Sequence, residues 1–152
     1  YNMAKVARAA RVGSRQRPEI VTGAKTITES ETGELYLINY NTGATIAITL
    51  PAVREGAYFR FQFMTKMDAG AAQIDITAAG SDVIKGTIVN FVYAGSSADT
   101  TLGTNKDDGS DTKITLVDTI HVGSYIDLYC DGTSWQASGQ VISSVRDAAV
   151  FA

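Results

Sequence analysis

The stretch Tyr125-Ile-Asp-Leu-Tyr-Cys-Asp-Gly-Thr-Ser-Trp-Gln-Ala-Ser-Gly139 constrains the fold more than any other part of this chain. Ile126, Leu128 and Cys130 alternate with Tyr125, Asp127 and Tyr129, the period-2 pattern of a strand with one buried face. Asp131-Gly132 follows, and glycine accepts the positive φ that a tight turn demands. Trp135 opens the return strand and brings one large apolar body to cover a core. Strand, turn and strand together predict the closing hairpin of an all-β domain.

The same texture begins at Ile20. Tyr58 to Thr65 sets Phe59, Phe61 and Phe63 on one face and Tyr58, Arg60, Gln62 and Met64 on the other. Ile74 and Ile76 alternate within Gln73 to Thr77, and Val83 to Tyr93 predicts one or two strands around Gly86. Leu35–Tyr40 and Ala44–Leu50 predict a hairpin about the turn Asn41-Thr42-Gly43. Gly95 to Asp111, rich in Gly, Ser, Asp and Thr, predicts a long surface loop. About nine short strands predict an antiparallel β-sandwich, jelly-roll-like, or a barrel. Phe59, Phe61, Phe63, Leu128 and Trp135 are its expected core. The organisation read from these patterns is a basic N-terminal arm (1–19), an all-β body (20–142) and a C-terminal tail (143–152). The apolar ending at Phe151 predicts that the tail packs on the body or on a neighbouring subunit.

Charge is divided unevenly. Residues 1–19 hold Lys5, Arg8, Arg11, Arg15 and Arg17 against Glu19 alone, a net of +4, and the rest of the chain carries −7. Lys5, Arg8, Arg11 and Arg15 are spaced to share one helix face. Such an arm seeks an acidic surface, whereas the acidic body repels nucleic acid. Two readings of the arm stand side by side: a segment that orders on a partner, and a solvated terminus.

Little in the chain suggests chemistry. One histidine, His121, and one cysteine, Cys130, cannot make an intrachain disulfide or the usual zinc set, and no nucleophile elbow or phosphate loop is present. The expectation is therefore a protein that is not an enzyme, with no catalytic residue, metal, cofactor or small-molecule substrate. Asp107, Asp108 and Asp111 surround Gly109, and calcium binding is one reading of them; the spacing is not that of an EF-hand and Lys106 opposes a cation, so a solvated loop is the expectation. Tyr36, Tyr40 and Tyr58 read as core or interface, with a sugar-stacking platform as the competing reading. No run approaches the roughly 20 apolar residues of a membrane span, and no secretory signal is visible, so no membrane partner is expected.

Several pieces, in order, carry a resemblance. They are Ile48-Thr-Leu-Pro51, Gly56-Ala-Tyr-Phe-Arg-Phe61, Ser81-Asp-Val-Ile-Lys-Gly86, Thr112-Lys-Ile-Thr-Leu-Val117, Val122-Gly-Ser-Tyr-Ile126 and Asp131-Gly-Thr-Ser-Trp135. Over about residues 33–139 they resemble β-modules of tailed-bacteriophage virion proteins, notably capsid decoration (cement) proteins and some fibre or collar proteins. The resemblance implies a structural virion protein on the capsid exterior, commonly a homotrimer, whose partner is the major capsid protein. It implies stabilisation by clamping neighbouring capsomers, with Lys5, Arg8, Arg11, Arg15 and Arg17 as the capsid-binding arm. A receptor- or glycan-binding module of a phage fibre or spike is the alternative, and a cellular carbohydrate-binding domain is the third reading.

Overall fold

A computed structural model describes residues 18–93, 100–117 and 119–152. Two sheets pack face to face. The larger has seven strands in the order β1 (Glu19–Val21), β3 (Leu35–Ile38), β5 (Tyr58–Phe63), β10 (Tyr125–Cys130), β11 (Trp135–Ser143), β7 (Ile84–Tyr93) and β8 (Thr100–Lys106). The smaller has five, in the order β12 (Ala149–Phe151), β9 (Lys113–Val117), β6 (Gln73–Thr77), β4 (Thr45–Thr49) and β2 (Lys25–Thr26). The all-β sandwich is as expected, but its sheets are mixed rather than antiparallel throughout.

The first six strands produce the mixture. The chain crosses between the sheets at every step, so β1, β3 and β5 run parallel in one layer and β2, β4 and β6 parallel in the other. The opposite sheet thus supplies the crossover that parallel neighbours need. After β6 the pairings become antiparallel, apart from β11 against β7.

This winding overturns the hairpin expected across Asn41-Thr42-Gly43, because β3 and β4 lie in different sheets. Tyr40 is buried, and its hydroxyl donates to the Ala44 carbonyl at 2.9 Å. Asn41 brackets a distant loop instead of turning a hairpin: its Oδ1 accepts the amides of Asp68 and Ala69 at 2.8 Å each, and its Nδ2 donates to Asp68 at 2.8 Å. Part of the expected surface loop is strand β8, which pairs antiparallel with β7. The chain's last residues form β12, whose Phe151 and Ala149 are buried against the body.

The inward rows fill the space between the layers. Phe59, Phe61, Phe63, Leu128 and Trp135 are all 0 % exposed and face Ile48, Ile74, Ile76, Ile114 and Leu116 of the smaller sheet. Tyr36 stacks on Phe61 with centroids 5.3 Å apart, and Phe59 tilts against Trp135 at 5.6 Å. The β7–β8 side closes through polar contacts, since Asn105 donates to the Ala149 carbonyl at 2.6 Å and buried Asn90 reaches the same oxygen at 3.5 Å. Asp131 organises the turn from β10 to β11. Its carboxylate accepts the amides of Thr133 and Ser134 at 2.8 Å each, with Gly132 at φ +95°.

Candidate functional site

The outer face of the seven-stranded sheet is the most distinctive surface of the body. Strand register places Ile20, Leu37, Gln62, Tyr125, Gln140, Val89 and Thr104 in one row across all seven strands. The next row reads Leu35, Arg60, Asp127, Ser138, Thr87 and Lys106. A third sets Tyr58 beside Tyr129, then Gln136 and Lys85. Ile20 is 54 % exposed and Tyr129 47 %, while Leu37, Tyr58, Tyr125 and Val89 are half-buried.

At the centre of this face four side chains hold one another. The Tyr58 hydroxyl donates to Asp127 at 3.0 Å, and the Arg60 guanidinium lies over the Tyr125 ring, 4.4 Å from its centroid. Arg60 Nε sits 3.4 Å from Asp127 Oδ1, close enough for charge attraction but outside hydrogen-bond geometry. Burial pushes the Tyr58 phenol up, and its bond to the Asp127 carboxylate pushes it the same way. The cluster offers aromatic rings, a guanidinium and amide side chains on a fixed sheet, which suits non-covalent recognition.

The second feature is a groove at the end of the sandwich where β1, β3 and β5 begin. It encloses about 260 Å³, with Pro51, Ala52 and Ala57 on its floor and Glu29, Arg54 and Glu55 on its rim. Arg54 pairs with Glu29 at 2.6 Å across an exposed edge. Lys25 nearby bridges Glu19 at 2.9 Å and Glu31 at 2.7 Å. Burial alone would raise the Glu31 carboxyl, but the Lys25 ammonium and the Thr28 amide and hydroxyl outweigh it and hold the group at about 2. This end carries Glu19, Glu29, Glu31, Glu34, Glu55, Asp82 and Asp131 against Lys25, Arg54 and Lys85.

The residues singled out from sequence fall in different places. Tyr36 and Tyr40 are core residues, whereas Tyr58 is half-buried on the outer face, beside half-buried Tyr125 and exposed Tyr129. The strand alternation of β10 already puts Tyr125 and Tyr129 opposite the core row. What it lacks is the pairing that sets them beside Tyr58. Lys5, Arg8, Arg11, Arg15 and Arg17 lie outside the described residues. His121 packs edge-on against Tyr93 and bonds its hydroxyl through Nε2. Burial, with Lys66 nearby, keeps the imidazole below its ordinary range. Asp107, Asp108 and Asp111 spend carboxylate oxygens on Gly86 N, Ser110 N and Asp108 N respectively, all inside the loop or its strand neighbour. Among the described residues no group of His, Cys, Asp or Glu is arranged to hold a metal, and no helix is long and apolar enough to cross a membrane.

No protein-family model, curated protein or solved structure matches this chain.

Proposed function

We propose that this chain is a structural, non-catalytic virion protein that sits on the outside of a tailed-phage capsid and stabilises it by clamping neighbouring capsomers. The observation that carries the assembly role is the outer face of the seven-stranded sheet. Its central rows present Tyr58, Tyr125, Tyr129, Leu37, Ile20 and Val89, with Arg60 and Asp127 paired among them. Tyrosine and arginine are enriched where proteins meet, which supports reading this face as an interaction surface. The capsid as partner, the trimeric state and the basic arm as the shell contact come from the resemblance and from the charge split in the sequence. Clamping in this reading adds buried area across capsomer seams.

The test is co-sedimentation of the purified chain with capsids that lack decoration, measured as copies bound per particle. Saturable binding at hundreds of copies, with a raised melting temperature of the shell, supports the reading. Absence of binding overturns it. The same face favours one second reading, a glycan-binding module, because tyrosine rings flanked by Asp127, Arg60 and Gln136 suit the apolar and hydroxyl faces of a sugar. Sugar binding that Tyr129→Ala abolishes, without capsid binding, would select it.

A further inference from the structure

We propose that the groove at the acidic end of the sandwich is the docking site for part of this chain's own basic N-terminal segment, Lys5–Arg17. Three observations converge on that occupant. The groove has an apolar floor of Pro51, Ala52 and Ala57 under a rim that carries Glu55 and the Glu29–Arg54 ion pair. Small side chains fit such a floor, and the segment supplies Ala7, Ala9, Ala10, Val6 and Val12 between its cations. The charges are complementary: residues 1–17 contain five basic side chains and no acidic one, while the groove's end of the body is net acidic.

The third observation is where the segment joins the body. It enters β1 at Glu19, and β1 runs parallel to β3 and β5, so its start lies at the same end as the loops that build the groove. Lys25 binds Glu19 and Glu31 with one ammonium, which places the root of the segment beside the Glu29–Glu31 turn on the groove's rim. Each exposed ion pair is weak, and several must act together with the apolar contacts. In solution the groove and any external acidic surface then compete for the same segment. The inference holds whether or not the external surface is a capsid.

The experiment is hydrogen–deuterium exchange of the full chain, followed by mass spectrometry of peptides from residues 1–17. The free peptide of the same sequence serves as reference. At low ionic strength the segment's amides are expected to exchange about tenfold more slowly than in the free peptide, the factor that a few cooperating surface ion pairs supply. The protection is expected to vanish near 1 M salt, where the Debye length falls to about 3 Å. It should also vanish in E29K/E55K and in R11E/R15E, and return when the two pairs are combined. Melting temperatures confirm that each variant is folded, and R11E/R15E leaves the body's sequence untouched. Exchange at the free-peptide rate in low salt overturns the proposal, as does protection that survives the charge reversals. Protection that rises with protein concentration also overturns it, because the occupant would then be a neighbouring copy's segment.

Discussion

Trp135 is the largest fully buried side chain of the body, and it sits where the β10–β11 turn meets the core. Its amide donates to the Val83 carbonyl at 2.9 Å, and its ring lies against Phe59. Trp135→Ala should cost about 3–5 kcal/mol, the usual range for emptying a large aromatic site, read as a shift in the urea midpoint. Trp135→Phe should cost clearly less, because the buried Nε1–H has no partner among the described residues to lose. Equal losses in the two variants would mean that a phenyl ring recovers none of the packing that the indole supplies. Glu31 sets a second expectation. Its carboxyl stands at about 2 in the folded chain against an ordinary 4.5, so the ionised form is favoured by folding. A depressed carboxyl contributes stability that is full above its unfolded pKa and is lost as pH falls through its folded one. The parent should therefore lose stability between about pH 4.5 and pH 2. Asp131, held low by the Thr133 and Ser134 amides, adds loss on the same acid limb. Glu31→Gln should be less stable than the parent at neutral pH and should show a flatter acid limb. Urea midpoints across a pH series measure both, and parallel profiles would remove Glu31 from this role.

Among the elements, β7 carries the sharpest local demand. Gly86 sits in it at φ +139°, paired opposite Ala137 of the parallel neighbour β11. Its amide donates to Asp107 Oδ2 at 2.7 Å, and its carbonyl accepts the Asp107 amide at 3.2 Å. A Cβ at that position would run into the Ala137 backbone. Gly86→Ala therefore combines a disfavoured dihedral with a clash that neither strand can relieve by rotamer change. It should destabilise the body by on the order of 2 kcal/mol or more, whereas Gly109→Ala, strained but facing open space, should cost less. Thermal melts of the two variants rank them. Gly86 was visible in the sequence as an interruption of a strand, and the structure supplies the reason for it. Other elements were legible only in part. The alternation of β5, β6, β9 and β10 revealed which side chains face inward, because period 2 is imposed by the pleat whatever the partner strand. Which strands pair is a different matter. Leu35–Tyr40 and Ala44–Leu50 look like hairpin arms around Asn41-Thr42-Gly43, but Asn41 bonds the 68–69 backbone and the chain passes to the other sheet. Strand β8 was hidden because Thr100–Lys106 is an edge strand with little apolar alternation, in which Asn105 reaches across to Ala149. The tyrosine face escaped for a related reason: Tyr58 and Tyr129 are far apart in sequence and become neighbours only through the β5–β10 register.

At the scale of the whole molecule the outer face of the larger sheet differs from the end of the sandwich where β1, β3 and β5 begin. One end is acidic and grooved, and the broad outer face of the larger sheet is aromatic and nearly neutral at its centre. A body of this size without a disulfide among its described residues relies on packing, and a surface such as this one gains further by closing against copies of itself. We expect the chain to be a trimer at micromolar concentration, joined through the Ile20, Leu37, Tyr125 and Tyr129 region. Ile20→Asp and Tyr129→Asp place charge on exposed positions that carry no core contact, so the fold should survive both. Burying an unpaired carboxylate in a subunit interface, by contrast, costs several kcal/mol, enough to dissociate a micromolar assembly. Sedimentation equilibrium should therefore show a trimer for the parent and a monomer for the I20D/Y129D double variant. The melting temperature of the variant, extrapolated to low concentration, should match that of the parent. A monomeric parent at micromolar concentration would remove self-association from this face and leave it free for another partner. A double variant that remains trimeric would place the subunit contact elsewhere on the body.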